Sequence, residues 1–499
     1  MITIARRLSF VGVLVASLPA AAQPLPTATT SAPGDVAAAE GARSTSLEAY
    51  MGSLFTPQRG LTADQVASRA GATSFDVRAR HAELEAAAAA VDTALIAYFP
   101  KLTLVGRYAR LSHFEDQVIG NVVAAPTTPL GPVPPGAPLV NVPISFSSIM
   151  NQTLFQATLN VPLSDYLLRI SQSYAAASHS ERAAELNEQA AKLKAALDGR
   201  TVYYSWARAR LQAFVARRAL EQANTHLVDV KHVYESGAGS KADVLRVEAQ
   251  VANTELLVQR ADSLGRVMEQ TLRTAMHDSA PREYALGEDL GATLPAMGEK
   301  SDPDALYAEA LRYRLEVRAL NETLGSFKEQ AKAVRAGYFP RLDAFGDVSY
   351  ANPTLRIFPP KEEFRASWSA GLQITWIVNE IGTSAAQGRS LDARGALIEA
   401  QKGALADALR MEVVQTHRAL LDAEFAIKTA ARALSAAEES YRVRRELFQN
   451  GRATSTELTD AETELTRAEL EVINARVDLR IARARLLHAS GRDAAPAAP

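Results

Sequence analysis

Side chains able to do chemistry are sparse in this 499-residue sequence and are spaced for other work. Its eight histidines, at positions 81, 113, 179, 226, 232, 277, 417 and 488, are scattered, and none belongs to an HExxH pair. His226 and His232 stand six apart. Two imidazoles meet on one helical face at i and i+4, so these two read as surface or packing residues. The absence of cysteine removes thiolate metal sites, disulfides, cysteine nucleophiles and lipid attachment at an N-terminal cysteine. No GxGxxG, phosphate loop or GxSxG stands at a strand-helix junction. The sequence therefore predicts no catalytic constellation, no metal and no cofactor.

Two polar stretches do repeat a spacing with a physical meaning. Gly237, Ser240 and Asp243 are matched by Gly451, Thr454 and Glu457. A glycine able to turn left-handed ends one helix, and a hydroxyl caps the next. An acid three residues further completes a capping box. Each stretch reads as a tight turn between two helices.

Those turns belong to a chain written twice. Sliding the sequence by 240 residues aligns 61–108 with 301–348, so that Tyr98-Phe99-Pro100 falls on Tyr338-Phe339-Pro340 and Gly106 on Gly346. Farther on the offset is 214, and the stretch from 234 aligns with the stretch from 448. The difference lies in a proline-rich insert at 112–151, whose second-half counterpart is only about 351–364. Tandem duplication explains this better than chance likeness of alanine-rich helices. Each half reads helix, strand, loop, strand, very long helix, tight turn, long helix. The repeats are placed at 61–280 and 301–490. The first predicts strands near 101–111 and 152–163 and helices near 164–236 and 240–278. The second predicts strands near 341–350 and 365–377 and helices near 382–450 and 454–490. Residues 23–60 read as an extension, 281–300 as a linker or equatorial segment and 491–499 as a disordered tail.

The long helices need cover along their length. In the last one Leu458, Ala461, Leu465, Ala468, Val472, Ala475, Leu479, Ala482 and Leu486 recur at steps of three and four. A second stripe, Leu470, Ile473, Val477 and Ile481, runs beside them. Two adjoining seams mean two neighbours, which suits a wall of helices. After each Tyr-Phe-Pro the period changes to two. Leu102, Leu104, Gly106 and Tyr108 share one face, as do Phe155, Ala157, Leu159 and Val161. Ala366, Trp368, Ala370, Leu372, Ile374 and Trp376 alternate with Ser367, Ser369, Gly371, Gln373 and Thr375. That pattern suits either a soluble sheet with one buried face or membrane strands with lipid outside and water inside. On a strand with the usual tilt, Trp368 and Trp376 would sit about 20 Å apart across the bilayer, matching two membrane interfaces.

The leader supports the membrane reading. Arg6 and Arg7 precede an apolar run from Leu8 to Leu18, followed by Ala20-Ala21-Ala22. This reads as a signal peptide over 1–22, so the mature chain is exported. Four strands cannot close a membrane barrel, because about eight is the smallest that works. The barrel must be shared between chains. The 54 Lys plus Arg nearly balance 56 Asp plus Glu, and no basic tract points to nucleic acid.

The duplicated halves, the two hairpins, the paired long helices and the glycine turn before a "DVL"-like stretch resemble the TolC-type outer-membrane efflux family. The resemblance covers about residues 60–490. It implies a mostly α chain with a transmembrane β part, three copies sharing one β-barrel in the outer membrane and a periplasmic α-barrel. It implies work with a periplasmic adaptor and an inner-membrane pump of the RND or ABC type. Tyr98, Phe99, Tyr338 and Phe339 then become aromatics near the inner membrane interface, or else plain packing at a helix end. Gly237, Ser240, Asp243, Gly451, Arg452 and Thr454 become periplasmic tips for adaptor docking. In the family, acids after the second turn ring the constriction, and Glu457 and Asp460 match those positions. The first half has Arg246 where the second has Asp460. The seven methionines form no cluster, which counts against copper or silver as cargo. The alternative class is a periplasmic coiled-coil scaffold or adaptor, which would explain the helices but not the strands.

Overall fold

The computed structural model describes residues 60–112, 117–124, 135–136, 138, 140–146, 149–279, 284–292, 294, 302–358 and 360–494. The expected signal peptide, nearly all of the 23–60 extension and the last five residues lie outside the described residues. The first repeat runs α1 (Ala63–Thr73), α2 (Phe75–Ile96), β1 (Lys101–Arg110), β2 (Gln117–Ala124), β3 (Val140–Phe146), β4 (Asn151–Val161), α3 (Ser171–Glu235) and α4 (Lys241–Ala275). The second runs α5 (Pro303–Tyr313), α6 (Leu315–Arg335), β5 (Arg341–Asn352), β6 (Arg365–Thr375), α7 (Asn379–Gln449) and α8 (Ser455–Ala489).

With 65 and 71 residues, α3 and α7 each run about 100 Å at 1.5 Å per residue. Between β4 and α3 the chain passes through a π-turn, Tyr166–Ile170. The helix expected to open each repeat is two helices in both cases. Ser74 (ψ 133°) and Arg314 (ψ 125°) leave the helical region at equivalent positions. Caps repeat as well: the Thr62 and Asp302 side chains accept from the backbone of Gln65 and Asp304. The expected linker is partly core, because Tyr284, Leu286 and Leu290 are buried and Leu286 bridges to Leu61. The expected tail begins in order, with Gly491 at φ +72° and Arg492 paired to Glu309 at 2.7 Å. The proline-rich insert, read from the sequence as a loop, carries the antiparallel ribbon β2–β3.

The four main strands form one antiparallel sheet in the order β1-β4-β5-β6. The helices attached to them pack in the same order. α2 lies on α3, α3 on α6 and α6 on α7. Lower down, α4 continues the place of α2 beside α3, while α8 fills the place of α6 between α3 and α7. Both stripes of α8 are covered accordingly: Leu458, Leu465, Val472, Ile473 and Val477 are all buried. The main core centres on Trp206 and Tyr203 of α3, with Val66, Leu272, Met276, Leu286, Val472 and Ile473 around them.

Gly199 lies where α3 and α1 approach closely. A Cβ there would sit 3.0 Å from the Ala70 side chain and 3.2 Å from Ala67 Cα and the Val66 carbonyl. Valine at 199 would therefore push α1 off α3. Gly199→Val is expected to cost about 1–3 kcal/mol by overpacking. The denaturation midpoint of the detergent-solubilised protein measures that loss.

Candidate functional site

The register of the sheet sorts its residues by polarity. Leu102, Leu104 and Gly106 stand opposite Leu159, Ala157 and Phe155. Those pair with Gly346, Val348 and Tyr350, which pair in turn with Ala370, Trp368 and Ala366. One face is thus apolar across all four strands. The other carries Thr103, Gln156, Thr158, Asn160, Asp343, Asp347, Ser349, Ser367, Ser369 and Gln373, with Val105, Leu154 and Phe345 as exceptions. Hydrogen bonds knit this polar face: Ser349 to Ser367 at 2.8 Å, and Ser369 donating to Asp347.

Exposure runs against the soluble-sheet pattern. Leu104 is 74%, Trp368 73%, Leu372 68% and Ile374 73% exposed. The polar residues of β5 and most of those on β6 are only half-exposed. A sheet in water buries its apolar face. Here that face is presented outward, and on β5 and most of β6 the polar face is the more sheltered one, as lipid outside and water inside require.

Aromatic residues stand near both ends of this face. At the outer end Trp368 and Tyr108 are exposed, and Tyr350 stacks on Phe364 with centroids 5.1 Å apart. At the helix end Phe99, Phe339 and Trp376 are exposed, Trp376 just past the last residue of β6. Tyr98 is half-buried and stacks against Tyr166, 6.2 Å away, with Tyr174 edge-on. Tyr338, at the end of the 3-10 turn Ala336–Tyr338, is half-buried too.

At the far ends of the long helices the two turns have the anticipated geometry. Gly237 and Gly451 have φ of +81° and +69°. Ala238 and Arg452 donate back to the carbonyls of Val233 and Leu447, 3.1 and 2.8 Å away. That bond closes the helix in a Schellman turn. Thr454 and Glu457 form a full capping box, with Thr454 N–H donating to the Glu457 carboxylate at 2.9 Å. The expected box at Ser240 is only half formed. Ser240 accepts from Asp243 N–H at 3.2 Å, but the Asp243 carboxylate accepts from the Ser240 hydroxyl rather than its backbone. Aspartate is one methylene too short to reach back.

The two candidate pore acids differ sharply. Glu457 is held below its ordinary value by the Thr454 backbone N–H first and then by Arg444, 2.7 Å away. Asp460 is exposed on α8 and meets no ion-pair partner among the described residues. Arg246, its first-repeat counterpart, reaches across to donate to Thr456.

Sequence reasoning passed over a polar ladder joining α3 to α8. Arg208 pairs with Asp478, Gln212 donates to Asn474 at 2.9 Å and Arg218 pairs with Glu469 at 3.0 Å. Nearest the turns, buried His226 meets Glu462 at 3.1 Å and Ser455 at 3.2 Å. The signal was present in the spacing Ala223, His226, Val230, which sets the imidazole in an apolar stripe.

Comparisons with known proteins follow the same lines. The sequence pattern of the family described as outer membrane efflux protein matches residues 66–276 and 306–492. No curated protein matches the sequence. Among solved structures, the chain resembles the outer membrane protein VceC of Vibrio cholerae with a TM-score of 0.66 and 16% identity over 86% of this chain and 96% of that one. It resembles the open state of the MtrE outer membrane channel of Neisseria gonorrhoeae with a TM-score of 0.68 and 18% identity over 86% and 88%. For the CmeC outer membrane channel of Campylobacter jejuni the TM-score is 0.67, with 13% identity over 87% and 88%. At these identities the likeness is one of fold.

The two faces of the sheet should respond oppositely to a charge. Leu104→Arg is expected to cost about 2–4 kcal/mol near the bilayer midplane, whereas its neighbour Thr103→Arg, on the polar face, should cost little. Heat-modified gel mobility after insertion into liposomes measures the folded fraction of each.

Proposed function

This chain belongs to the outer membrane efflux protein family and is a subunit of an outer-membrane efflux channel, and we propose that three copies join head to tail into one continuous duct. The observation that carries this is the shared order of the two layers. β1 and β6 are the open edges of the sheet. The helices below them, α2 and α4 on one flank and α7 on the other, are the open edges of the wall. Both flanks expose large apolar side chains: Ile96, Leu256 and Leu264 on one, Met411, Leu421 and Phe425 on the other. Two unlike edges on one slab make a heterologous contact, which closes into a ring when the rotation allows. Two copies would supply eight strands, a barrel whose interior side chains fill. Three copies supply twelve and leave room for a lumen.

In this duct the apolar face meets lipid. Trp368 marks the outer interface, and Trp376, Phe99 and Phe339 the inner one, with Tyr98 and Tyr338 tucked behind at the helix ends. Indole and phenyl rings favour those depths. The turns at Gly237 and Gly451 form the periplasmic tips, where a periplasmic adaptor docks and links the duct to an inner-membrane pump of the RND or ABC type. Ala238 and Arg452 are the tip positions that touch it. The adaptor-like reading of the chain itself is set aside, because it gives no role to an outward-facing apolar sheet. Native mass spectrometry in detergent should show three subunits. A stable soluble monomer would refute the duct.

Selectivity at the tip rests on Asp460 more than on Glu457. Three-fold symmetry brings three copies of each carboxylate together, a ring that attracts cations. Glu457 is engaged by Thr454 and Arg444. Asp460→Ala should therefore lower cation selectivity in single-channel recordings, and Glu457→Ala should change it less. Unchanged selectivity in the double variant would remove both from the pore entrance.

A further inference from the structure

The outer ends of the strands hold a surface that the described residues of the single chain leave uncovered. Between β5 and β6, Leu355 is 91% exposed, the highest value among the large apolar side chains described. It stands beside Arg356, with Lys361, Glu362, Glu363 and Arg365 following. A loop so charged cannot sink into hydrocarbon, so lipid does not cover Leu355. Its exposure also shows that nothing among the described residues of its own chain does.

The insert of the first repeat supplies the complementary surface. From Gln117 to Ser164 the sequence has no Asp, Glu, Lys, Arg or His. Within it, β2 and β3 form a two-stranded ribbon, and register sets Gly120, Val122 and Ala124 opposite Ile144, Val142 and Val140. Alternation puts these six positions on one face, all of them apolar. A lone two-stranded ribbon is marginal in water and needs something packed against it.

Topology decides which copy meets which. β1 runs outward to Arg110, and β6 runs inward from Arg365. Every neighbouring pair in the sheet is antiparallel. If β6 of one copy pairs with β1 of the next in the same sense, the Arg365 and Arg110 ends lie side by side. The loop carrying Leu355 and the insert carrying the ribbon then emerge at the same seam, from different chains. We propose that the β2–β3 ribbon of each copy packs over Leu355 of the adjoining copy, forming a clasp across each subunit seam outside the membrane. The clasp rests on the head-to-tail closure proposed above. Its uncharged face meets an apolar side chain, so the contact leaves no charge buried without a partner.

A photoreactive amino acid placed at Leu355 in the assembled protein tests this directly. Illumination should give covalent dimers and trimers, and digestion should map the attachment to residues 117–146 of another chain. The sequence has no cysteine, so Val122→Cys with Leu355→Cys adds the only thiols. Oxidation should link separate chains in the double variant and in neither single variant. Trimers by native mass spectrometry that give no such crosslink would overturn the clasp and leave the duct standing. Val122→Cys linking to its own copies would place the ribbons against one another and overturn it too. Attachment from Leu355 to lipid alone would do the same. Loss of the trimer in the unmodified protein would instead overturn the closure on which the clasp depends.

Discussion

Unpaired backbone in hydrocarbon is the condition on which this architecture depends. A strand edge in lipid leaves a row of N–H and C=O groups without partners, each costing several kcal/mol. The four-stranded sheet has two such edges, β1 and β6, and no strand among the described residues pairs with either. Closing one edge on the other is the only arrangement that leaves no row exposed. A single sheet of four cannot bend that far, so the requirement passes to other copies.

The same requirement reaches the helices because the junctions are direct. α2 enters β1 through Tyr98-Phe99-Pro100, and α6 enters β5 through Tyr338-Phe339-Pro340. A proline disfavours helical geometry in the residue before it, so the change of period is abrupt. With a few residues between layers, the helix order must follow the strand order. α3 lies inside the wall and has neighbours on both sides, whereas α4 at the flank buries Val244, Val247, Val251 and Thr254 on one side only. Leu256, Leu257 and Leu264 on its outer side stay exposed. In the proposed ring these side chains face the neighbouring copy.

Toward the turns the contact between repeats changes character. Around Trp206 an aromatic and aliphatic core dominates, with Arg208–Asp478 and Gln212–Asn474 beside it. Nearer the turns α3 and α8 are joined through Arg218–Glu469 and His226–Glu462. A buried ion pair such as Arg218–Glu469 is a poor source of net stability but is costly to break on one side only. Such contacts define which helices face one another while relying less on apolar burial than the middle of the wall does. Arg444 and Arg246, on α7 and α4, add polar links to the start of α8 at the turns themselves.

Much of this is decided by local chemistry and so was legible in residue order. Period-two alternation set the strand faces, three-and-four spacing set both seams of α8, and glycine with a following hydroxyl set each turn. Such signals depend on near neighbours along the chain, and the duplication let each be read twice. The breaks at Ser74 and Arg314 were not legible, because each depends on a short helix packing against a distant one. Arg314, for example, is buried against Glu316 and Glu412, the latter 98 residues away. The half-formed box at Asp243 turned on the length of one side chain. The sequence marked Glu457 as a capping acid, but only folding brings Arg444 to it and leaves Asp460 exposed. The sequence by itself determined which faces are apolar and where the period changes, since covalent spacing carries that information. Only the tertiary structure decided strand order, helix order and charge partners, because those depend on which distant segments share an edge.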